Sequence, residues 1–202
     1  MMRAPLELVG LTKTFPTPAG PFTAVKDVNA KVYPGEFVCL LGHSGCGKST
    51  VLSMIAGLER ASAGGIFIDG SQIDGPGAER AVVFQAPCLL PWLTARQNVR
   101  LAVDRALANG TAAGRTDQVD RHFELLGIAD AADQRPGELS LGTQQCVSLA
   151  RALATQPRFL LLDEPFSMLD SLTRFDLQDT LLDVWDEDRR IVVMVTHDVD
   201  EA

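Results

Sequence analysis

The stretch Phe37-Val38-Cys39-Leu40-Leu41-Gly42-His43-Ser44-Gly45-Cys46-Gly47-Lys48-Ser49-Thr50 decides how this chain reads. Phe37 to Leu41 is apolar without alternation, the pattern of a strand buried on both faces. Gly42 to Ser49 fits G-x-x-x-x-G-K-[ST], and the residues from Lys48 onward (KSTVLSMIAGL) follow a helical pattern. Strand, glycine-rich loop and helix in that order form a phosphate-binding loop. Glycines allow backbone angles and close approach that a Cβ forbids. The loop N–H groups and the positive end of the next helix make a concave anion site. From this position Lys48 reaches β- and γ-phosphates, and Ser49 offers its hydroxyl to Mg2+. Alone, the motif fits kinases, GTPases and ATPases alike.

Working outward, three more apolar runs read as strands: Ala81 to Phe84, Phe159 to Leu162 and Ile191 to Val195. Helical patterns lie between them, from about Thr143 to Ala154 and from about Leu172 to Trp185. This alternation predicts an α/β fold with a mainly parallel sheet. Thr17 to Pro21 (TPAGP) reads as a tight turn between two N-terminal strands, an antiparallel β portion. Pro87 to about Gly137 has no strong strand run and reads as an inserted helical lobe. With the helix that follows, residues 87–150 form an expected helical subdomain inside one domain spanning 1–202. Asn109 to Thr116 (NGTAAGRT) reads as a flexible surface loop.

The run Phe159 to Leu162 ends in Asp163-Glu164. A carboxylate at the C-terminal end of a strand can hold Mg2+, which is the role read for Asp163. Neighbouring side chains leave a strand end in different directions, so Glu164 suits a second role, polarising a water that attacks the γ-phosphate.

Bulk properties narrow the partners. Of 202 residues, 46% are hydrophobic and 22% charged, an ordinary globular balance. The net charge of -8 argues against a nucleic-acid binder, which needs a basic face. The acidic run Asp183 to Asp188 reads as a solvated helix face. No basic start followed by a long apolar core marks the N-terminus, and no apolar run nears the roughly 20 residues of a membrane span. A soluble cytosolic chain is expected, with membrane association through a partner. Cys39, Cys46, Cys88 and Cys146 have no CxxC spacing, and His43 with Cys46 lacks further metal ligands.

With both nucleotide motifs placed, the chain resembles the ATP-binding subunits of ABC transporters along its length. Gln85 in VVFQ matches the family glutamine that contacts metal and attacking water. Leu139-Ser140-Leu141-Gly142-Thr143 stands where the LSGGQ signature lies, and Ser167-Met168-Leu169-Asp170 matches the loop that crosses the dimer interface. His197 in VTHD matches the histidine at the γ-phosphate, and Phe15 in LTKTF the aromatic that stacks on adenine. The resemblance implies a P-loop NTPase fold of RecA-like type. It implies ATP held by Phe15, by Gly42, His43, Ser44, Gly45, Cys46, Gly47, Lys48, Ser49 and Thr50, and by Ser140 and Gly142 across the dimer. Mg2+ would be held by Ser49, Gln85 and Asp163, with Glu164, His197 and Gln85 acting in hydrolysis. The implied partners are a second ATPase subunit, identical or different, and membrane permease subunits. An extracytoplasmic solute-binding protein acts indirectly. The implied location is the cytoplasmic face of the inner membrane.

LSLG, together with Leu89-Leu90-Pro91-Trp92-Leu93-Thr94, resembles the nitrate, sulfonate and taurine importers. Trp92 is either a rigid anchor for the permease or core of the helical lobe. Leu141 and Thr143 depart from the signature. Leu141 would be strained if its position needs a positive φ, and tolerable if only its N–H is used. Cys146 replaces an arginine common in that group. Family members usually continue past the position of Ala202, so truncation is expected. These departures keep open a non-catalytic ATP-binding subunit; a soluble non-transport ABC ATPase is the other alternative. A small-molecule kinase would lack the later motifs, and a GTPase would carry an NKxD motif that is absent.

Overall fold

The computed structural model describes residues 5–108 and 110–202; Met1 to Ala4 and Asn109 lie outside the described residues. The described elements run β1 (Leu6–Thr17), β2 (Gly20–Val32), β3 (Phe37–Leu41), α1 (Lys48–Ala56), β4 (Ala63–Ile68), β5 (Ser71–Gln72) and β6 (Arg80–Val83). They continue with α2 (Ala95–Ala106), α3 (Ala112–Leu125), α4 (Leu141–Leu153), β7 (Phe159–Asp163), α5 (Ser171–Asp188) and β8 (Ile191–Thr196). The expected α/β class holds.

Two sheets form. β2-β1-β4-β5 is antiparallel, with β1 and β2 joined by the short turn after Thr17. β3-β8-β7-β6 is parallel throughout. Side chains alternate across a strand, so one strand serves two cores. Phe159 and Leu161 of β7, with Ile191, Val193 and Val195 of β8, pack towards α1 and the antiparallel sheet. Leu160 and Leu162, with Val192 and Met194, pack towards α4, α5 and the helices between β6 and β7. Burial on both faces explains the unbroken apolar runs of β7 and β8; the outer strands β3 and β6 are mostly half-buried, so the expectation of a fully buried Phe37 to Leu41 is corrected.

The helices start on residues suited to capping. Thr94 and Gln97 form a reciprocal capping box on α2, and Ser140 and Asp170 cap α4 and α5 through their side chains. The stretch expected as a flexible loop is corrected in part. Thr111 accepts from the Gly114 N–H and caps α3, so Ala112 to Thr116 is helix. Burial of Val119 and Phe123 outweighs the poor propensity of Gly114.

Candidate nucleotide site

Six residues link β3 to α1, and the loop is shaped by its glycines. Gly45 has φ +79° and Gly47 φ +100°. A Cβ on Gly47 would sit 2.5 Å from the Ala24 carbonyl oxygen, so the loop is pressed onto β2 and admits no side chain there. The first turn of α1 carries no acidic residue, which leaves its positive end free for an anion. Lys48 folds back over this loop: Nζ donates to the carbonyls of Gly42 (2.7 Å) and His43 (2.9 Å). His43, Ser44, Gly45 and Cys46 are exposed around it.

The start of α1, just past the loop, is tied to β7. The Ser49 hydroxyl donates to Asp163 Oδ1 at 2.8 Å, across 114 residues of sequence. Burial pushes the Asp163 carboxyl above its ordinary range; the Ser49 bond lowers it, the charge of Glu164 raises it and Lys48 lowers it. The dominant desolvation marks a carboxylate whose charged form gains from a cation.

Glu164 has φ +46°, a left-handed conformation that costs a glutamate on the order of 1 kcal/mol. Its N–H donates to the Val195 carbonyl (2.9 Å), which holds the turn in place. Its side-chain Oε2 lies 3.1 Å from His197 Nδ1. Gln85, just past β6, donates from Nε2 to Ser167 Oγ (3.1 Å), and that hydroxyl donates to the Glu164 carbonyl (3.0 Å). The carboxyl ends of β3, β6, β7 and β8 therefore bring together Ser49, Gln85, Asp163, Glu164 and His197, where α/β sheets place ligands. Ser167 was not singled out for chemistry in the sequence; it links Gln85 to the Glu164 backbone.

Other sequence candidates lie outside this hydrogen-bonded group. Phe15 is half-buried on β1, faces Phe22 across the strand pair, and has Lys13 Nζ 4.8 Å from its ring centre. Phe22, which the sequence reading passed over, is 57% exposed beside it. Ser140 Oγ accepts from the Thr143 N–H (3.1 Å) and pairs with the Thr143 hydroxyl (2.8 Å). Leu141 opens α4 and is absent from the non-glycine residues of positive φ, so leucine is unstrained there. Gly142 is the constrained position: a Cβ would lie 2.6 Å from Thr173 Cγ2 on α5.

A second feature lies along Phe84 to Thr94. Gln145 of α4 donates to the Phe84 carbonyl (3.1 Å), and Arg151 to those of Pro87 (3.0 Å) and Cys88 (2.8 Å). Asn98 of α2, 1% exposed, accepts from the Leu90 N–H (2.8 Å) and donates to the carbonyls of Leu90, Leu93 and Thr94. This anchored loop presents Trp92 at 66% exposure, so Trp92 is surface and not core. Cys146, by contrast, is half-buried and packs on the helical core, where burial pushes its thiol up to about 11.

Fold and site together define a P-loop ATPase. Residues 25–167 match the family model described as ABC transporter. The chain belongs to the ABC transporter family. It is 50% identical over 190 residues to the nitrate import ATP-binding protein NrtD of Synechococcus elongatus, covering 94% of this chain and 69% of that one. It is 46% identical over 197 residues to the bicarbonate transport ATP-binding protein CmpD of Synechocystis sp., covering 98% and 70%. Among solved structures, a dimeric ATP-binding cassette in a post-hydrolysis state with ADP and Pi superposes with a TM-score of 0.88 at 33% identity, covering 98% and 90%.

Proposed function

We propose that this chain is the ATP-hydrolysing subunit of an importer, and that its cargo is a small oxyanion such as nitrate or bicarbonate. The observation that carries the ATPase reading is the Ser49–Asp163 bond (2.8 Å) set beside the Glu164–His197 contact (3.1 Å). In this reading the backbone N–H groups of Gly42 to Thr50 hold the phosphates. Lys48 exchanges its two loop carbonyls for phosphate oxygens. Ser49 Oγ, Asp163 Oδ1 and the Gln85 amide oxygen are hard oxygen donors of the kind Mg2+ prefers. Mg2+ there supplies neutralisation of phosphate charge. Glu164 takes the proton of the attacking water, and His197 contacts the γ-phosphate. Phe15 stacks on adenine.

Ser140 and Gly142 stand at the N-terminal end of α4, away from the chain's own loop. They serve the nucleotide of a second subunit, to which α4 offers N–H groups and its positive end. ATP then joins two cassettes, and hydrolysis parts them. Residues 87–150 act as one helical subdomain within a domain spanning 1–202. The Trp92 loop is the docking surface for a membrane permease, because an exposed aromatic on a pinned backbone is a preorganised anchor. No helix among the described residues is long and apolar enough to cross a membrane. The chain acts at the cytoplasmic face through its permease, with an extracytoplasmic solute-binding protein as indirect partner. Nitrate and bicarbonate are favoured because they are the cargoes of the relatives at 50% and 46% identity; sulfonate and taurine, expected from the LLPWLT resemblance, stay as secondary candidates.

Steady-state Mg-ATP hydrolysis with Glu164→Gln as control tests the catalytic reading. Cooperative activity that vanishes in the control, with ATP binding and an ATP-bound dimer retained, is the expected result. Wild-type turnover in Glu164→Gln would remove Glu164 from the proposed role. For cargo, hydrolysis by the reconstituted transporter is measured with nitrate, bicarbonate or taurine supplied; stimulation by taurine alone overturns the assignment to nitrate or bicarbonate.

A further inference from the structure

His197 is 49% exposed through its side chain, and its Nδ1 lies 3.1 Å from Glu164 Oε2. With half of the side chain open to solvent, its place depends on the backbone that carries it, residues 196–198. That backbone is folded by its own side chains. The Asp198 N–H donates to Thr196 Oγ1 (3.0 Å), the Thr196 hydroxyl donates to Glu201 Oε2 (2.5 Å), and the Asp200 N–H donates to Asp198 Oδ1 (3.0 Å).

Arg174 ties this turn to the Ser167–Asp170 segment. Arg174 Nη1 lies 3.1 Å from Asp198 Oδ2 and 3.6 Å from Glu201 Oε1, a carboxylate 4% exposed. Its Nη2 donates to the Leu169 carbonyl at 3.4 Å. Leu169 is buried in the segment Ser167–Asp170, and its side chain lies against Gly142 at the start of α4. The Arg174 N–H donates to the Asp170 carbonyl (2.9 Å), so its own position is set by the cap of α5. A planar five-donor fork serves three acceptors from two loops at once; an ammonium group does not have that geometry.

We propose that Arg174 is a positioning residue: it ties the turn carrying His197 to the Ser167–Asp170 segment, so that the two move together. This rests on the site roles proposed above, in which Ser167–Asp170 crosses the dimer interface and His197 meets the γ-phosphate. A partner subunit pressing on Ser167–Asp170 then sets where His197 stands. Turnover is thereby made to depend on a closed dimer without any contact between the partner and His197.

The test uses the full chain with Arg174→Met, which keeps an unbranched stem and removes the fork, and Arg174→Lys. Leu177→Ala, a buried core position on the same helix, controls for lost stability. Arg174→Met is expected to lower kcat about ten- to a hundred-fold while KM for ATP changes less than about twofold. Arg174→Lys recovers part of the loss. Asp198→Asn reproduces it, and combining Asp198→Asn with Arg174→Met adds little, because both break one link. The chain has three histidines, so the His197 ring signal is assignable by NMR against His197→Ala. It shifts in Arg174→Met while the His122 signal stays. Unchanged kcat with an unmoved His197 signal overturns the proposal. A kcat loss that Leu177→Ala matches at equal loss of melting temperature also overturns it. A moved His197 signal with unchanged kcat supports the positioning role and instead refutes the catalytic role given to His197.

Discussion

Replacing Gly142 with alanine probes how tightly α4 and α5 meet. The new Cβ would lie 2.6 Å from Thr173 Cγ2, with Thr173 Cβ at 3.7 Å and Leu169 Cδ2 at 3.9 Å. Carbon atoms settle at about 3.5–4.0 Å, so the first contact is short by about 1 Å. Thr173 is not free to turn aside. Its hydroxyl donates to Asp170 Oδ2 (2.6 Å) and its N–H to Oδ1 (3.1 Å), and rotating the side chain breaks the first of these. Overpacking of this kind costs about 1–3 kcal/mol, offset by at most about 1 kcal/mol of helix propensity. Gly142→Ala is therefore expected to destabilise by about 1 kcal/mol, or about 2–4 °C in Tm for a chain of this size. Thr173→Ser removes the offending methyl and keeps the hydroxyl. Combined with Gly142→Ala it should restore stability, giving a coupling of about 1 kcal/mol or more between the two sites. Urea denaturation of the four proteins measures this directly. The ATPase rate of Gly142→Ala should fall and return in the double variant, because the clash moves the end of α4 that bears Ser140. Wild-type stability in Gly142→Ala, with the two changes strictly additive, refutes the packing argument.

Lys48→Ala should weaken nucleotide binding at least about ten-fold while costing the nucleotide-free fold only about 1 kcal/mol, since it loses two carbonyl contacts; fluorescent-nucleotide titration and melting separate the two. Alkylation of exposed Cys46 should block ATP binding, and prior ATP should protect; unchanged binding by the alkylated chain refutes this. Asp163→Asn should raise the melting temperature without nucleotide at neutral pH and abolish Mg-dependent hydrolysis. Burial raises this carboxyl in the fold, so its contribution is most favourable below the unfolded carboxylate pKa and is lost as pH rises through the folded one. The gain from asparagine accordingly fades on acidification, and a lower neutral-pH melting temperature would contradict it. Trp92→Ala should change stability by no more than about 0.5 kcal/mol yet reduce permease co-purification, the exposed ring having little to lose in the isolated chain.

The four parallel strands were legible as continuous apolar runs, which full burial explains for β7 and β8 whereas β3 and β6 are mostly half-buried, and α1, α4 and α5 because their apolar residues recur at helical spacing. β4 escaped notice: Ala63-Gly64-Gly65 breaks the pattern and leaves only Ile66 to Ile68 apolar. The start of α3 was missed because Gly110 and Gly114 read as loop, while the packing of Phe123 is not a local signal. At the site, the residue types were legible and their pairings were not. Nothing local to Ser49 points to Asp163, and Arg174 on a polar helix face looks like one more solvated charge. Trp92 was undecided from sequence because an apolar ring beside proline suits core and surface alike; the Asn98 network, which crosses eight residues to Leu90, is what turns it outward.

Among the described residues, the order β3-β8-β7-β6 puts the strand that feeds the phosphate loop at one end of the sheet, beside β8. Phe37 pairs with Val192 and Leu41 with Thr196, so some 150 residues must be made before β3 has a partner. At roughly 5–20 residues per second, the ribosome holds the loop in an unpaired state for on the order of ten seconds or more. A nascent chain thus carries its phosphate loop, exposed Cys46 included, before β8 is there to pair with the strand that feeds it. A ligand that binds only the folded site stabilises it by mass action, so ATP is expected to favour the chain once β8 is in place.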